Sequence, residues 1–289
     1  MAVLAVDIGG TKLAAGIVGG DGAVTHRRMV ATPPSTDPVV VFAALEGLVS
    51  AVRAEATEVL DACGVGCGGP MAPGGEAVSP LNIGAWRRFP LRQRLADVTG
   101  LEVFVDNDAK ALALGEGAYG AARGERNFLA MVVSTGVGGG IVLDGRLLDG
   151  AHGNAGHIGH VIVEPGGELC ACGARGCLEA IVSGPAIERA TGAPAASADE
   201  GMRARVGRLV GRAVADVANL LDLRLAVVGG SVALGFGQSF FTAAQAELDA
   251  CARLDFSVGT RIVPVAHGAM APLMGAGAVA ARARGQLSL

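Results

Sequence analysis

One stretch, residues 156–179, limits what this chain can become more than any other. It reads G-H-I-G-H-V-I-V-E-P-G-G-E-L-C-A-C-G-A-R-G-C-L-E. His160, Cys170, Cys172 and Cys177 crowd one imidazole and three thiols into a short run. A Cys3His set of this kind closes a tetrahedral zinc shell. Sulfur donors favour zinc or iron–sulfur over magnesium or calcium. Gly173 and Gly176 let the backbone bend tightly around an ion. Ordinary buried thiols or a disulfide would be the alternative, but they do not account for C-x-C-x4-C beside a histidine. Four protein ligands leave no open coordination position, so the predicted metal is structural. Its task would be to hold His157, His160 and Glu179 against a ligand.

The rest of the chain supplies a frame for that ligand. The apolar run at 3–6 predicts a buried strand. It ends in Asp7-Ile8-Gly9-Gly10-Thr11-Lys12, and a second strand follows at 13–18. Gly19-Gly20-Asp21-Gly22 predicts a hairpin turn into a third strand at 23–31. Asp37-Pro38 caps a helix at 39–55. A strand at 61–65, a Gly/Pro-rich loop at 66–86, a helix at 90–99 stopped by Gly100, a strand at 103–105 and an Ala/Leu-rich helix at 109–119 come next. The opening pattern then recurs. A strand at 128–133 runs into Ser134-Thr135-Gly136-Val137-Gly138-Gly139-Gly140, and 141–143 returns. From Asp7 to Ser134 the offset is 134 − 7 = 127 residues. Further segments are a helix at 200–221, a strand at 225–228 before Gly229-Gly230-Ser231, a helix at 237–252, a strand at 261–264 and a helix at 272–284. Hairpins followed by alternating helices and strands predict an α/β fold with a mixed sheet in each of two parts.

Two glycine-rich turns facing each other across a cleft would present bare backbone N–H groups, which suit a phosphate chain. Asp7 falls at the carboxyl end of the first strand, where ligands of open sheets gather. Neither a Walker loop nor a Rossmann G-x-G-x-x-G joins a strand to a helix. The 289 residues carry 23 basic and 27 acidic side chains, and no basic run, which speaks against nucleic acid as a partner. No apolar stretch is long enough to span a membrane. Six cysteines without a leader segment suggest a reducing, cytoplasmic setting.

Taken together, Asp7-Ile8-Gly9-Gly10-Thr11-Lys12, Asn107-Asp108-Ala109, the run 134–140 and His160 with Cys170, Cys172 and Cys177 resemble the ROK family of sugar kinases and repressors. The motifs come in the family's order over almost the whole chain. The resemblance implies an actin-like ATPase (ribonuclease H-like) fold, with two α/β domains around a cleft that takes ATP and a sugar, and a homodimer. The division expected is 1–118 for the sugar side and first phosphate motif, and 119–289 for the metal loop and nucleotide side. The last helix is expected back on the first domain. Carried over by motif, Asp7, Gly9, Gly10 and Thr11 resemble the first phosphate motif, with Asp7 near Mg2+. Thr135, Gly136 and Gly138 resemble the second, and Gly229 and Gly230 the adenosine side. Gly69, Asn82, Asn107, Asp108, His160 and Glu179 match positions that contact sugar hydroxyls, and Asp108 matches the general base.

One departure concerns specificity. Most sugar kinases of the family have Glu three residues before the metal-binding His, where this chain has His157. The string G-H-I-G-H resembles bacterial N-acetylmannosamine kinases, whereas Trp86 after Asn82 resembles the glucokinases. A histidine cannot accept hydrogen bonds as two carboxylate oxygens do. The implied reaction moves the γ-phosphoryl group of Mg-ATP to a sugar hydroxyl, O6, with Asp108 accepting the proton. Asp108 is alternatively the N-cap of the following helix, and Asp106 a cap or loop residue. Lys12 is placed between phosphate contact and a solvated strand position. Cys63, Cys67 and Cys251 are expected to be buried thiols, Met270 and Met274 packing residues. A family repressor would need a DNA-binding domain ahead of Asp7. A sugar sensor without turnover is the other alternative.

Overall fold

The computed structural model describes residues 2–289. Strands β1 (Ala2–Ile8), β2 (Lys12–Gly19) and β3 (Val24–Ala31) form an antiparallel meander, and β4 (Ala62–Cys67) and β5 (Val103–Asn107) extend it in parallel from β1. The order is β3-β2-β1-β4-β5. A second sheet repeats the plan. Its meander is β6 (Phe128–Val133), β7 (Val137–Leu143) and β8 (Arg146–Leu147), and its parallel strands are β9 (Leu225–Gly229) and β10 (Arg261–Pro264). Read from the meander, the order β8-β7-β6-β9-β10 matches that of the first sheet. Strands β4 and β9 are buried at every residue, as continuous apolar runs covered on both faces should be.

Helices cover both sheets. Helix α1 (Pro38–Glu55) starts as predicted, with Asp37 accepting a hydrogen bond from the Val39 N–H. With α2 (Leu91–Thr99) it packs on the first sheet, and α6 (Glu200–Leu221) and α7 (Ser231–Cys251) pack on the second. Short helices α4 (Leu178–Val182) and α5 (Gly184–Thr191) follow the cysteine-rich loop. Helix α3 (Asp108–Tyr119) continues from β5, and helix α8 (Ala271–Ala283) ends the fold. These two lie against each other, and α8 also lies against β4, where a Cβ on Gly64 would overlap the Ala276 carbonyl oxygen. No helix among the described residues is long and apolar enough to cross a membrane.

The run 134–140 is mostly strand. Only residues 134–136 turn, while Gly138, Gly139 and Gly140 lie within β7. Their bareness serves packing: a Cβ on Gly140 would come within 2.6 Å of the Ala109 carbonyl oxygen and 2.8 Å of the Ala113 Cβ. Helix α3 can therefore cross β7 almost in backbone contact, which sets the height of Asp108. Gly140→Ala is expected to destabilise the protein by about 1–3 kcal/mol through overpacking, read as a lowered denaturation midpoint.

Four further expectations change. Helix α7 begins at Ser231 rather than at 237. Gly237 interrupts it with φ 59°, ψ −141°, so a non-helical residue separates its first turns from the rest. Cys251, at the end of α7, is exposed beside Glu247, whereas Cys63 and Cys67 are buried in β4. Met270 precedes α8 and is 37% exposed, while Met274 is buried. Asp106 is no simple cap: its carboxylate pairs with the buried Lys110 ammonium at 3.0 Å.

Candidate active site

The carboxyl ends of the parallel strands in both sheets open onto one cleft of about 510 Å3. In the first sheet Asp7, Gly66 and Asp106 stand in register on β1, β4 and β5. The next residues place Cys67 beside Ile8 and Asn107, and the chain then enters α3 at Asp108. A Cβ on Gly66 would lie 3.5 Å from the Asp108 Cα and 3.9 Å from an Asp7 carboxylate oxygen, so the two acids flank one small residue. Asn107 rather than Asp108 is the N-cap. Its Oδ1 accepts from the Ala109 and Lys110 N–H groups at 3.0 and 3.3 Å. Asp108, in the first turn, accepts from the Ala109 N–H at 2.9 Å and faces the cleft.

Both hairpin turns line this cleft. Asp7, Gly9, Gly10, Thr11 and Lys12 come from the first, and Thr135, Gly136 and Gly138 from the second with its following strand. The Gly9 N–H is used internally on the Lys12 carbonyl, and the Ser134 N–H on the Gly136 carbonyl. The N–H groups of Gly10, Thr11, Thr135 and Gly136 have no protein acceptor among the described residues. The turns thus hold four backbone donors ready for an anion. Gly229 and Gly230 line the far end, where Gly230 (φ 97°) leads into α7.

The opposite end is built from the cysteine-rich loop and the loop after β4. His157, His160, Cys170 and Glu179 line it together with Gly69 and Asn82. Gly69 sits between the Asn107 amide (3.3 Å from its Cβ direction) and the His157 ring (3.4 Å). Asn82 lies over the first turn, 2.9 Å from where a Gly10 Cβ would be. Glu179 Oε2 accepts from the Val137 N–H at 2.7 Å, which leaves Oε1 for a ligand. The His157 and His160 rings stack, with centroids 5.9 Å apart.

His160, Cys170, Cys172 and Cys177 bring their donor atoms within 4.8 Å of one another. Cys172 Sγ lies 3.7 Å from Cys177 Sγ, and His160 Nδ1 lies 3.6 Å from Cys170 Sγ. A tetrahedron with metal–sulfur bonds of about 2.3 Å has edges of about 3.8 Å, so the spacing fits a tetrahedral ion. It is too long for a disulfide, and the cysteines are free. With Nδ1 turned to the sulfurs, His160 keeps Nε2 for the cleft. Cys172 and Cys177 stand behind the wall rather than in it.

Burial pushes the Asp7 carboxyl up to about 7, and the neighbouring Asp108 adds to it. Burial also raises Asp108 above its ordinary 3.8, against the pull of the Ala109 N–H and with a further push from Glu179. Burial lowers His157 below its ordinary 6.5, and His160 adds to that, so the ring is neutral near pH 7. The cleft therefore holds two carboxyls that a cation would help to ionise, and an uncharged imidazole at the other end.

Several site residues carry no sequence signal of their own. The Thr32 hydroxyl, at the end of β3, donates to the Gly9 carbonyl at 2.7 Å and steadies the first turn. Ser134 and Ser231 share a 2.8 Å hydrogen bond that ties the second turn to the start of α7. Ser183 and Arg189 line the same end. Of these, Ser134 had a cue as the first residue of the second glycine-rich run and Ser231 from its place directly after two glycines, while Thr32, Ser183 and Arg189 had none. Trp86 contributes nothing to the cleft: it is buried and stacked on Phe89 at 4.6 Å with 2° between the planes. The tryptophan cue to specificity thus belongs to the core.

The model of the ROK family matches residues 3–283. The chain belongs to the ROK family. An N-acetylmannosamine kinase of Shigella flexneri is 40% identical over 254 residues, 82% of this chain and 85% of that one. The structure is similar to that of a ROK family glucokinase from Streptomyces griseus, solved with glucose and AMPPNP. The TM-score is 0.85 at 29% identity, over 96% of this chain and 98% of that one. It is also similar to a ROK hexokinase from Thermus thermophilus, with TM-score 0.77 at 34% identity over 96% and 97%. The actin-like fold expected from the ROK motifs is the fold found.

Proposed function

We propose that this ROK protein is an ATP-dependent sugar kinase. It would transfer the γ-phosphoryl group of Mg-ATP to the 6-hydroxyl of a hexose or N-acylhexosamine. One observation carries the proposal: Asp108 stands in a single cleft between four unused backbone N–H donors and a polar pocket of His157, His160, Glu179, Asn82 and Asn107. The turns would grip the triphosphate, and Asp108 would take the proton of the attacking hydroxyl. Asp7 offers the hard oxygen donors that Mg2+ prefers, and the ion arriving with ATP would supply charge neutralisation. The Cys3His set would hold a structural zinc ion, which closes off the sugar end and takes no part in the chemistry.

The identity with N-acetylmannosamine kinases and the neutral His157 both favour an N-acylhexosamine, N-acetylmannosamine first, with glucose next. A phosphorylation panel of glucose, mannose, N-acetylmannosamine and N-acetylglucosamine with ATP tests this. Turnover of none of the four, with binding retained, would leave a silent sugar sensor. His157→Glu is expected to shift the kcat/KM ratio toward glucose by about tenfold, since a carboxylate accepts from two hydroxyls where the ring accepts from one. An unchanged ratio would remove His157 from specificity.

A further inference from the structure

The loop between β8 and His157 reaches across to the first sheet. Lys110, just after Asp108, is only 2% exposed and anchors this loop, donating to Asp149 Oδ1 at 2.7 Å and to the Gly153 carbonyl at 3.3 Å. Arg282 of α8 adds a second hold on Asp149 at 3.0 Å. The loop then presents Asn154 to Met71, two residues after Gly69. Asn154 Oδ1 accepts from the Met71 N–H at 3.2 Å, and Nδ2 donates to the Met71 carbonyl at 3.2 Å and to the His152 carbonyl at 2.9 Å.

The reason this pairing forms lies in the partner. Met71 bridges Val78 in an antiparallel pair, flanked by hydrogen bonds from Ser79 N–H to the Pro70 carbonyl and from Ala72 N–H to the Ala77 carbonyl. In such a pair the N–H and C=O of Met71 itself point outward, to where a further strand would sit. The side-chain amide of Asn154 fills that place with one acceptor and one donor. It is a two-point contact between the loop that carries Gly69 and the loop that carries His157, and those two residues face each other at the sugar end.

We infer that Asn154 is a positioning residue, a latch joining the two halves at the sugar end of the cleft, which sets how much of the protein is in the sugar-binding form before sugar arrives. It touches neither the reacting atoms nor the nucleotide end. Opening the latch lowers the fraction competent to bind and so raises the apparent sugar dissociation constant, while leaving the bound complex able to react. The ligand named here rests on the sugar-kinase proposal, but the latch itself does not.

The test uses the full-length protein with Asn154→Ala and Asn154→Asp. Aspartate keeps an acceptor for the Met71 N–H but sets a carboxylate against the Met71 carbonyl, so it should behave like alanine toward sugar. Without any substrate, amide hydrogen exchange at Met71 is expected to quicken about tenfold in Asn154→Ala, as for the loss of a small set of neutral hydrogen bonds. The sugar KM should rise about tenfold, with kcat and the ATP KM within about twofold of wild type. Unchanged exchange at Met71 in Asn154→Ala would overturn the latch. So would sugar and ATP KM values rising in step with a loss of thermal stability, which would mark a merely structural residue. If wild type phosphorylates none of the panel sugars, the kinase proposal fails while the exchange measurement still decides the latch.

Discussion

Asp108→Asn is expected to fold, bind sugar and lose about 10²–10⁴-fold in kcat, the range a general base contributes. Asparagine keeps the size of the side chain and can still accept from the Ala109 N–H, so the start of α3 has no reason to move. The cap is supplied by Asn107 in any case. What goes is the carboxylate proposed as the acceptor of the hydroxyl proton. Retention of half the wild-type rate would remove Asp108 as base. The variant also carries a pH signature. Burial raises the Asp108 pKa in the folded protein, so the wild-type rate should fall on the acid side as pH drops through that raised value. The residual rate of the Asn variant should lack this limb.

Stability should move the other way. A carboxyl whose folded pKa lies above its unfolded value contributes stability only at low pH, and that contribution is lost as pH rises through the folded value. At neutral pH an ionised Asp108 therefore weighs against the fold, and it pushes Asp7 in the same direction. Asp108→Asn should unfold at a higher temperature than wild type at pH 7 and lose that advantage below about pH 4, near the ordinary aspartate value. A lower midpoint at pH 7 would show that the carboxylate holds the fold together instead of burdening it.

The difference between what the sequence announced and what it hid follows from the range of the signals. The two hairpins were legible because a glycine turn between short apolar runs is a local pattern, and because it occurs twice. Asp37-Pro38 and Gly100 marked helix ends by the same local chemistry. The cysteines stood out because few folds need three sulfurs and a histidine so close together. By contrast, Gly138 and Gly140 looked like more turn, since the feature that demands glycine there is helix α3, which packs across them. Asp106 read as a cap or loop residue and Lys110 carried no cue at all, and only the fold brings Asp149 and Arg282 up to them. Asn154 pairs with a backbone 83 residues away in sequence. No composition or periodicity points to such a partner.

Removal of metal from the Cys3His set is the second large effect expected. The loop around it is held by two isolated β-bridges, Ile162 with Cys177 and Leu169 with Arg175, by turn hydrogen bonds, by the Glu164–Arg205 ion pair and by Val163 in the neighbouring core, while the segment 165–176 that carries Cys170 and Cys172 leans mainly on its own turns. Its core cluster is small, with Cys170, Cys177 and Ala180 as the buried members. A tetrahedral ion would therefore contribute much of the order in the segment, because binding free energy for a structural site is folding free energy. His160 would have Nδ1 fixed on the ion and Nε2 aimed at the sugar, and Glu179, two residues after Cys177, would be held in reach of the second hairpin turn. Elemental analysis of protein prepared without chelator should find about one zinc per chain, as four ligands around one ion require. Cys172→Ser is the variant of choice, since Cys172 is exposed and its loss opens no cavity, unlike the fully buried Cys177. In that variant, or after chelation, zinc should leave, the sugar KM should rise by about tenfold or more, and the ATP KM should change far less, as expected for a missing metal ligand at the sugar end only. Zinc added back to chelated wild type should restore both metal content and sugar affinity. Fully active wild type with no bound zinc, and thiols that react freely without any release of metal, would reduce the four residues to ordinary packing.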